Sequence, residues 1–404
     1  MKSIVFLCDG MADYPVSAFD GRTPLDVSRH PNMDKIAEGG LFGLARTVPH
    51  GQKPGSDNAN LSVFGYDPLV YYTGRSPLEA VNMGIDLAQE DVAYRCNLVT
   101  LRDSDNIEEC TMGDYSAGEI STEEARELIQ AMDKLFRTDK VELYPGVSYR
   151  HCLVLRAADT GAQLTPPHDI SGKPVRDCLP KGVNGALLLD MMKRSFALLK
   201  DHPVNQKRVA QGKNPANCLW FWGEGRKPAL TPFAEKFGVQ KGGVISAVDL
   251  IRGIGRCAGL EVLPVDGVIT GTFETDFDAK AKAAIRAFEE GHQFVYLHME
   301  GPDECGHHRQ IQEKVTCIED IDKKVIGPVM EYLENCGEDY SVLLMPDHPT
   351  PLCLMTHVSD PVPFALLSSK YPVDNTGAVF TEYAARATGV TVPRACDLME
   401  KLLG

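Results

Sequence analysis

The chain is short of several things, and each shortage removes a class of function. No apolar run approaches the ~20 residues that a membrane-crossing helix needs, so nothing is expected to span a bilayer. Asp9 interrupts the only apolar run near the start, so no segment there reads as a signal peptide. The 12 cysteines include no Cys-x-x-Cys pair, and the expectation is reduced thiols in a cytoplasm. Positive charge is scarce. A net charge of −15 argues against nucleic acid and anionic membrane surfaces as partners. An anionic substrate must then be held locally, by metal ions and a few placed arginines. There are no internal repeats, and 404 residues suggest two or three domains.

The richest stretch is Phe294-Val295-Tyr296-Leu297-His298-Met299-Glu300-Gly301-Pro302-Asp303-Glu304-Cys305-Gly306-His307-His308. An apolar strand runs into carboxylates and imidazoles, as at the carboxyl edge of a buried sheet. Asp303 and His307 are four apart, which on a helix puts both on one face where they can share an ion. Two further strands end the same way. Residues 342–345 run into Asp347-His348 with His357 beyond, and residues 4–8 run into Asp9. Asp9, Asp303, His307, Asp347, His348 and His357 are too many for one tetrahedral ion and suit two, of manganese, zinc, cobalt or magnesium. Taken singly, each is equally readable as a satisfied polar group at a strand end. Cys8 reads as strand packing.

Ser56 follows Gly55 and precedes a helical apolar pattern, at a place where amide dipoles favour an anion. Alone, such a serine reads as a helix cap. Beside a two-metal site it reads as a nucleophile, because a metal lowers the hydroxyl's pKa.

Along the chain, Pro31 and a capping Asn32 open a helix. Strands are expected at 93–100 and 151–155, and helices at 121–136, behind a capping-box sequence, and at 185–199. The parent sheet is expected to resume at 217–225, 242–246 and 261–264, followed by a helix over 278–290. Strands alternating with helices predict an α/β fold, a mostly parallel sheet flanked by helices. Residues 1–90 and 216–404 form its discontinuous domain, and 91–215 an inserted, smaller α+β domain.

Asp9, Ser56, Asp303-x-x-x-His307, Asp347-His348 and His357 resemble the alkaline phosphatase superfamily. More closely, several motifs resemble the archaeal-type, bisphosphoglycerate-independent phosphoglycerate mutases: Gly55-Ser56-Asp57-Asn58-Ala59-Asn60-Leu61-Ser62, Tyr72-Thr73-Gly74-Arg75-Ser76-Pro77-Leu78-Glu79-Ala80, Thr165-Pro166-Pro167-His168-Asp169-Ile170, Ser246-Ala247-Val248-Asp249-Leu250-Ile251 and Pro346-Asp347-His348-Pro349-Thr350-Pro351. The resemblance implies an alkaline-phosphatase-like domain with two divalent ions, one on Asp303, His307 and His357 and the other on Asp9, Ser56, Asp347 and His348. It also implies a substrate-gripping transferase domain and no bisphosphoglycerate cofactor. Ser56 would take phosphate from 3-phosphoglycerate and return it to the 2-hydroxyl. Arg95, Arg75, Arg150, His151, His168, Asp169 and Lys241 are the expected substrate contacts, with Arg95 and Lys241 also catalytic.

One segment departs from the family. Where members carry Asp-Arg-Arg-Ala-Gly-Arg-Ile, this chain has Asp114-Tyr115-Ser116-Ala117-Gly118-Glu119-Ile120. Glu119 would repel phosphoglycerate and accept an ammonium group. That leaves a second reading, an ATP-dependent homoserine kinase-like phosphotransferase, and a third, an inactive metal-binding interaction protein. The substrate is in either active case a small phosphorylated or hydroxylated acid, and a monomer or a homo-oligomer is compatible with the sequence.

Overall fold

The structure, a computed structural model, describes all residues 1–404 and divides into two compact units. The larger comprises 1–72 and 230–404, and the smaller 73–229.

The larger unit is built on an eight-stranded sheet. At its centre Lys2–Cys8 lies parallel to Phe294–Met299 on one side and to Tyr340–Met345 on the other. Gly242–Ile245 and Glu261–Val262 extend the parallel set beyond Phe294–Met299. On the far side Val362–Ser368 runs antiparallel to both its neighbours, Tyr340–Met345 and Leu41–Ala45, and the short Thr391–Val392 closes the edge.

The central strands are apolar along their whole length because both faces are covered. Ile4, Phe6 and Cys8 point to a core shared with Val295, Leu297 and the apolar faces of helices Pro31–Gly39, Phe277–Glu289 and Gly327–Asn335. Tyr296, between Val295 and Leu297, points the other way. Its ring stacks on Phe64, the residue that ends helix Ser56–Val63, with centroids 3.8 Å apart.

Asn32 does not cap its helix. His30 holds the capping position, and Asn32 lies in the first turn, its amide donating to Asp322 at 2.8 Å. Asp322 also accepts from the backbone N–H groups of Asn32 and Met33, so the orphan donors are satisfied by a distant carboxylate.

A buried network lies behind the start of the chain. Lys314, fully enclosed, donates to Asp13 at 2.7 Å, and the Asp13 N–H donates to Glu382 at 3.0 Å. Burial pushes the Glu382 carboxyl up to about 7, against the hydrogen bonds it receives. Free glutamate titrates near ~4.3, so between these values the folded chain keeps a proton that the unfolded chain has released. The group's contribution to stability is therefore full at low pH and is lost as pH rises towards 7. Glu382→Gln should be more stable than the parent at pH 8 by about 1–2 kcal/mol, an advantage that vanishes near pH 4.5. Urea unfolding at both values checks it, and a difference independent of pH contradicts it.

The smaller unit is a five-stranded antiparallel sheet around the long strand Val92–Arg102, which pairs with Arg150–Leu155, Thr111–Asp114 and Cys218–Arg226. Helices Thr122–Phe136 and Gly185–Leu199 complete its core, and Ser121 caps the first by accepting from the Glu124 N–H. The sequence assigned 217–225 to the parent sheet. Instead Cys218–Arg226 pairs with Val92–Arg102 through seven registered positions from Val92 to Val99, so it belongs to the smaller unit. That pairing, with helix Ser76–Asn82 packed beside it, makes the unit wider at both ends than residues 91–215.

Candidate metal centre and basic cluster

Three adjacent parallel strands end at one edge, and each delivers ligands there. Asp9 follows Lys2–Cys8, Asp303 lies in helix Gly301–His307 after Phe294–Met299, and Asp347 and His348 follow Tyr340–Met345. Gly10, at φ 61°, allows the close approach: a Cβ there would sit 2.5 Å from the Asp303 Cα.

The side chains form two groups. In one, Asp303, His307 and His357 bring donor atoms within 4.8 Å of one another; in the other, Asp9, Asp347 and His348 do the same. His307 Nε2 and His357 Nε2 face each other at 2.8 Å, both near the Asp303 oxygens. His307 Nδ1 sits 3.0 Å from the Met355 carbonyl, which keeps a proton on Nδ1 and makes Nε2 the nitrogen that would turn to a cation. In the second group His348 Nε2 lies 3.2 Å from Asp347 Oδ2 and 3.7 Å from Asp9 Oδ1. Asp9 Oδ1 is buried without a hydrogen-bond partner.

These electrostatics fit cations. Burial first, then the charges of Asp347 and Asp303, push the Asp9 carboxyl well above its usual range. Burial would raise Asp303 too, but hydrogen bonds from His307 and His357 hold it well below. The Asp303 hydrogen bond holds His307 up at about 9. Enclosed carboxylates crowded together, an orphaned oxygen and inward imidazole nitrogens, whose Nε2 proton at His307 a cation would displace, make a donor set for two divalent ions.

Ser56 is the first residue of helix Ser56–Val63, yet its side chain caps nothing. Its Oγ lies 3.1 Å from His348 Nε2 instead. The sequence left cap and nucleophile open, and the geometry removes the cap.

Several supporting residues escaped the sequence reading. His298 holds the other Asp9 oxygen at 2.9 Å through Nε2, while its Nδ1 meets Ser246 Oγ at 3.1 Å. Asn60 donates to Asp347 at 2.9 Å and accepts from the buried Tyr296 hydroxyl at 2.7 Å. His298 and Asn60 stood inside stretches singled out from the sequence, but nothing in their spacing separated a ligand from its support.

Lys241 is a correction. It precedes Gly242–Ile245, whose pairing with Phe294–Met299 is parallel, so it sits at the amino edge while the ligands gather at the carboxyl edge. Its Nζ donates to the Glu290 carbonyl at 2.7 Å, near the end of helix Phe277–Glu289. It is neither a catalytic nor a substrate-binding group there.

In the smaller unit, the expected cations gather around partners that the sequence did not reveal. Glu79 pairs with Arg75 at 2.7 Å and Arg95 at 3.1 Å, and the Arg95 guanidinium lies 4.3 Å from the Trp222 ring centroid. Burial lowers Arg95 to about 10, opposed by Glu79. His168 meets the Trp222 ring at 5.2 Å and the Tyr115 ring at 6.2 Å; Tyr115 meets Tyr149, over which Arg150 lies. Asp169 is exposed, 3.5 Å from the His168 ring nitrogen. Glu119 is exposed in a turn organised by Asp114, which accepts from Ser116 and Gly118. His151 turns inward: its Nδ1 accepts from the Gly146 N–H at 3.0 Å, and burial lowers it to about 3. The ring is enclosed, which does not fit the substrate contact expected of it.

A family model for 2,3-bisphosphoglycerate-independent phosphoglycerate mutase matches residues 37–205. A probable 2,3-bisphosphoglycerate-independent phosphoglycerate mutase of Geobacter sulfurreducens is 49% identical over 403 residues, covering 100% of each chain. The chain belongs to this mutase family. A Methanothrix thermoacetophila member is also 49% identical with full coverage of both chains. Among solved structures, the cofactor-independent phosphoglycerate mutase of Thermoplasma acidophilum aligns over 100% of both chains, with a TM-score of 0.67 and 26% identity. A Pyrococcus horikoshii protein aligns over 99% of this chain and 96% of its own, with a TM-score of 0.81 and 30% identity. The mutase family thus accounts for the whole length of the chain and for both of its units. No helix is long and apolar enough to cross a membrane.

Proposed function

We propose that this chain is a metal-dependent phosphoglycerate mutase, interconverting 3-phosphoglycerate and 2-phosphoglycerate through a phosphoserine at Ser56. The observation that carries it is the Ser56 hydroxyl, which caps no helix and faces His348 Nε2 at 3.1 Å beside two three-residue ligand groups.

Asp303, His307 and His357 would hold one ion, and Asp9, Asp347 and His348, with Ser56, the other. When bound, such ions neutralise the phosphoryl oxygens and acidify a coordinated hydroxyl. Ser56 Oγ attacks phosphorus as the bond to the 3-oxygen breaks. The glycerate then presents its 2-hydroxyl, which takes the phosphoryl group back as the bond to Ser56 breaks. Positioning and charge carry such a transfer. Manganese, zinc, cobalt and magnesium all suit these ligands, and bisphosphoglycerate has no part in this sequence of steps.

The smaller unit is the substrate-binding transferase domain in this account. Arg95, braced by Glu79 and Trp222, is its firmest candidate for gripping carboxylate or phosphate, with Arg75, Arg150 and His168 in the same cluster. Arg95, Arg75 and Arg150 are the cations of this cluster, and 114–120 carries none. The mutase relatives favour this reading over ATP-dependent transfer to homoserine. The reaction belongs to glycolysis and gluconeogenesis, and twelve free cysteines suit a cytoplasm.

The test is to supply 3-phosphoglycerate and manganese in oxygen-18 water, without ATP or bisphosphoglycerate. Formation of 2-phosphoglycerate with an unlabelled phosphoryl group is expected. Labelled free phosphate as the sole product would indicate a phosphatase and overturn the reading.

A further inference from the structure

Thr350 stands where the two ligand groups meet. It is fully buried, and its Oγ1 is hydrogen-bonded to Asp303 Oδ1 in one group and lies 3.2 Å from His348 Nδ1 in the other. A carboxylate only accepts, so the threonine O–H must be donated to Asp303. The hydroxyl oxygen then has lone pairs left, and the contact with His348 is served by an Nδ1–H donating to it. Nε2 of His348 is thereby left as the lone-pair nitrogen, facing Ser56 Oγ at 3.1 Å and the oxygens of Asp347 and Asp9.

The backbone of Thr350 is pinned to match. Its N–H donates to the Ala12 carbonyl at 3.2 Å, and its carbonyl accepts from buried Lys314 at 2.9 Å. Lys314 is itself fixed by Asp13, which also accepts from the Leu352 N–H at 3.1 Å. Helix Gly301–His307 comes close against this residue: a Cβ on Gly306 would lie 2.5 Å from the Thr350 carbonyl oxygen.

We propose that Thr350 is a positioning residue tying the two metal half-sites together, its one hydroxyl orienting Asp303 and fixing His348 with the proton on Nδ1 and the lone pair on Nε2. The proposal rests on reading the two groups as metal sites. It predicts that removing the hydroxyl weakens both sites at once, although Thr350 belongs to neither ligand group.

The experiment is calorimetric titration of the metal-stripped full chain with manganese, comparing the parent, Thr350→Ser and Thr350→Val. Asp303→Ala and Asp347→Ala assign each binding event to its group. The parent and Thr350→Ser should each take two ions with similar affinities, and Thr350→Val should bind both about 10–100-fold more weakly. Parent-like binding by Thr350→Val, or weakening confined to one group, overturns the coupling. A parent that takes up no ion overturns the metal-site reading instead. Should Thr350→Val fail to fold, nitrogen-15 NMR of the zinc-loaded parent decides alone. A His348 proton on Nδ1 is expected, and a proton on Nε2 overturns the proposal.

Discussion

Ser56→Ala is expected to reduce mutase turnover on the order of 10⁴–10⁶-fold, the scale of loss when a covalent nucleophile is removed. The Oγ caps no helix, so the helix should remain intact. Its Oγ meets His348 Nε2, and both three-residue ligand groups stay complete without it. The variant should therefore melt within a degree or two of the parent, still take up two ions, and fail in catalysis. Steady-state conversion of 3-phosphoglycerate, read beside the melting curve, separates these outcomes. Retention of more than about a tenth of the parent's turnover would exclude Ser56 as the phosphoryl carrier.

Removing the metal should have the second largest effect. Chelation is expected to abolish turnover, and restoring manganese to recover it. It should also lower the melting temperature by several degrees, since an ion held at 1,000 times its dissociation constant contributes about 4 kcal/mol to stability. The structure gives the physical cause. Without cations, Asp9 is buried beside Asp347 and Asp303, and one of its oxygens has no partner. Asp303→Asn should lose one ion and most activity, with Asp9, Asp347 and His348 still able to bind the other. Full activity after exhaustive chelation would sink the metal reading.

Much of the site was legible in the sequence because strands of a parallel sheet end at a common edge. An apolar run followed by Asp or His therefore states which side of the sheet the polar group occupies, and Asp9, Asp303, Asp347 and His348 followed that rule. Lys241 obeyed it as well, in the opposite sense: a residue before a parallel strand belongs to the amino edge. The strand at 218–226 was misassigned because an apolar run identifies a strand but not its partner, and only register against Val92–Arg102 places it. Asn32 looked like a cap beside Pro31, but a carboxylate 290 residues away took the capping role. The braces Glu79 and Trp222 were invisible for a related reason. A glutamate in a short helix and a tryptophan in a strand acquire their roles only when Arg95 comes between them in space.

Other residues that remained hidden are those that touch the candidate metal ligands. His298, Asn60 and Thr350 are small or buried polar groups whose value lies in orienting a neighbour. No spacing rule marks such residues, because their partners come from other strands.

The central claim is that the phosphoryl group passes through Ser56. Acid quenching of the manganese-loaded enzyme during turnover of 3-phosphoglycerate, followed by peptide mass spectrometry, tests it directly. The account predicts phosphate on Ser56 with no ATP present, and none in Ser56→Ala. Conversion of 3-phosphoglycerate with Ser56 never phosphorylated, or phosphate on Ser56 only when ATP is added, would contradict it.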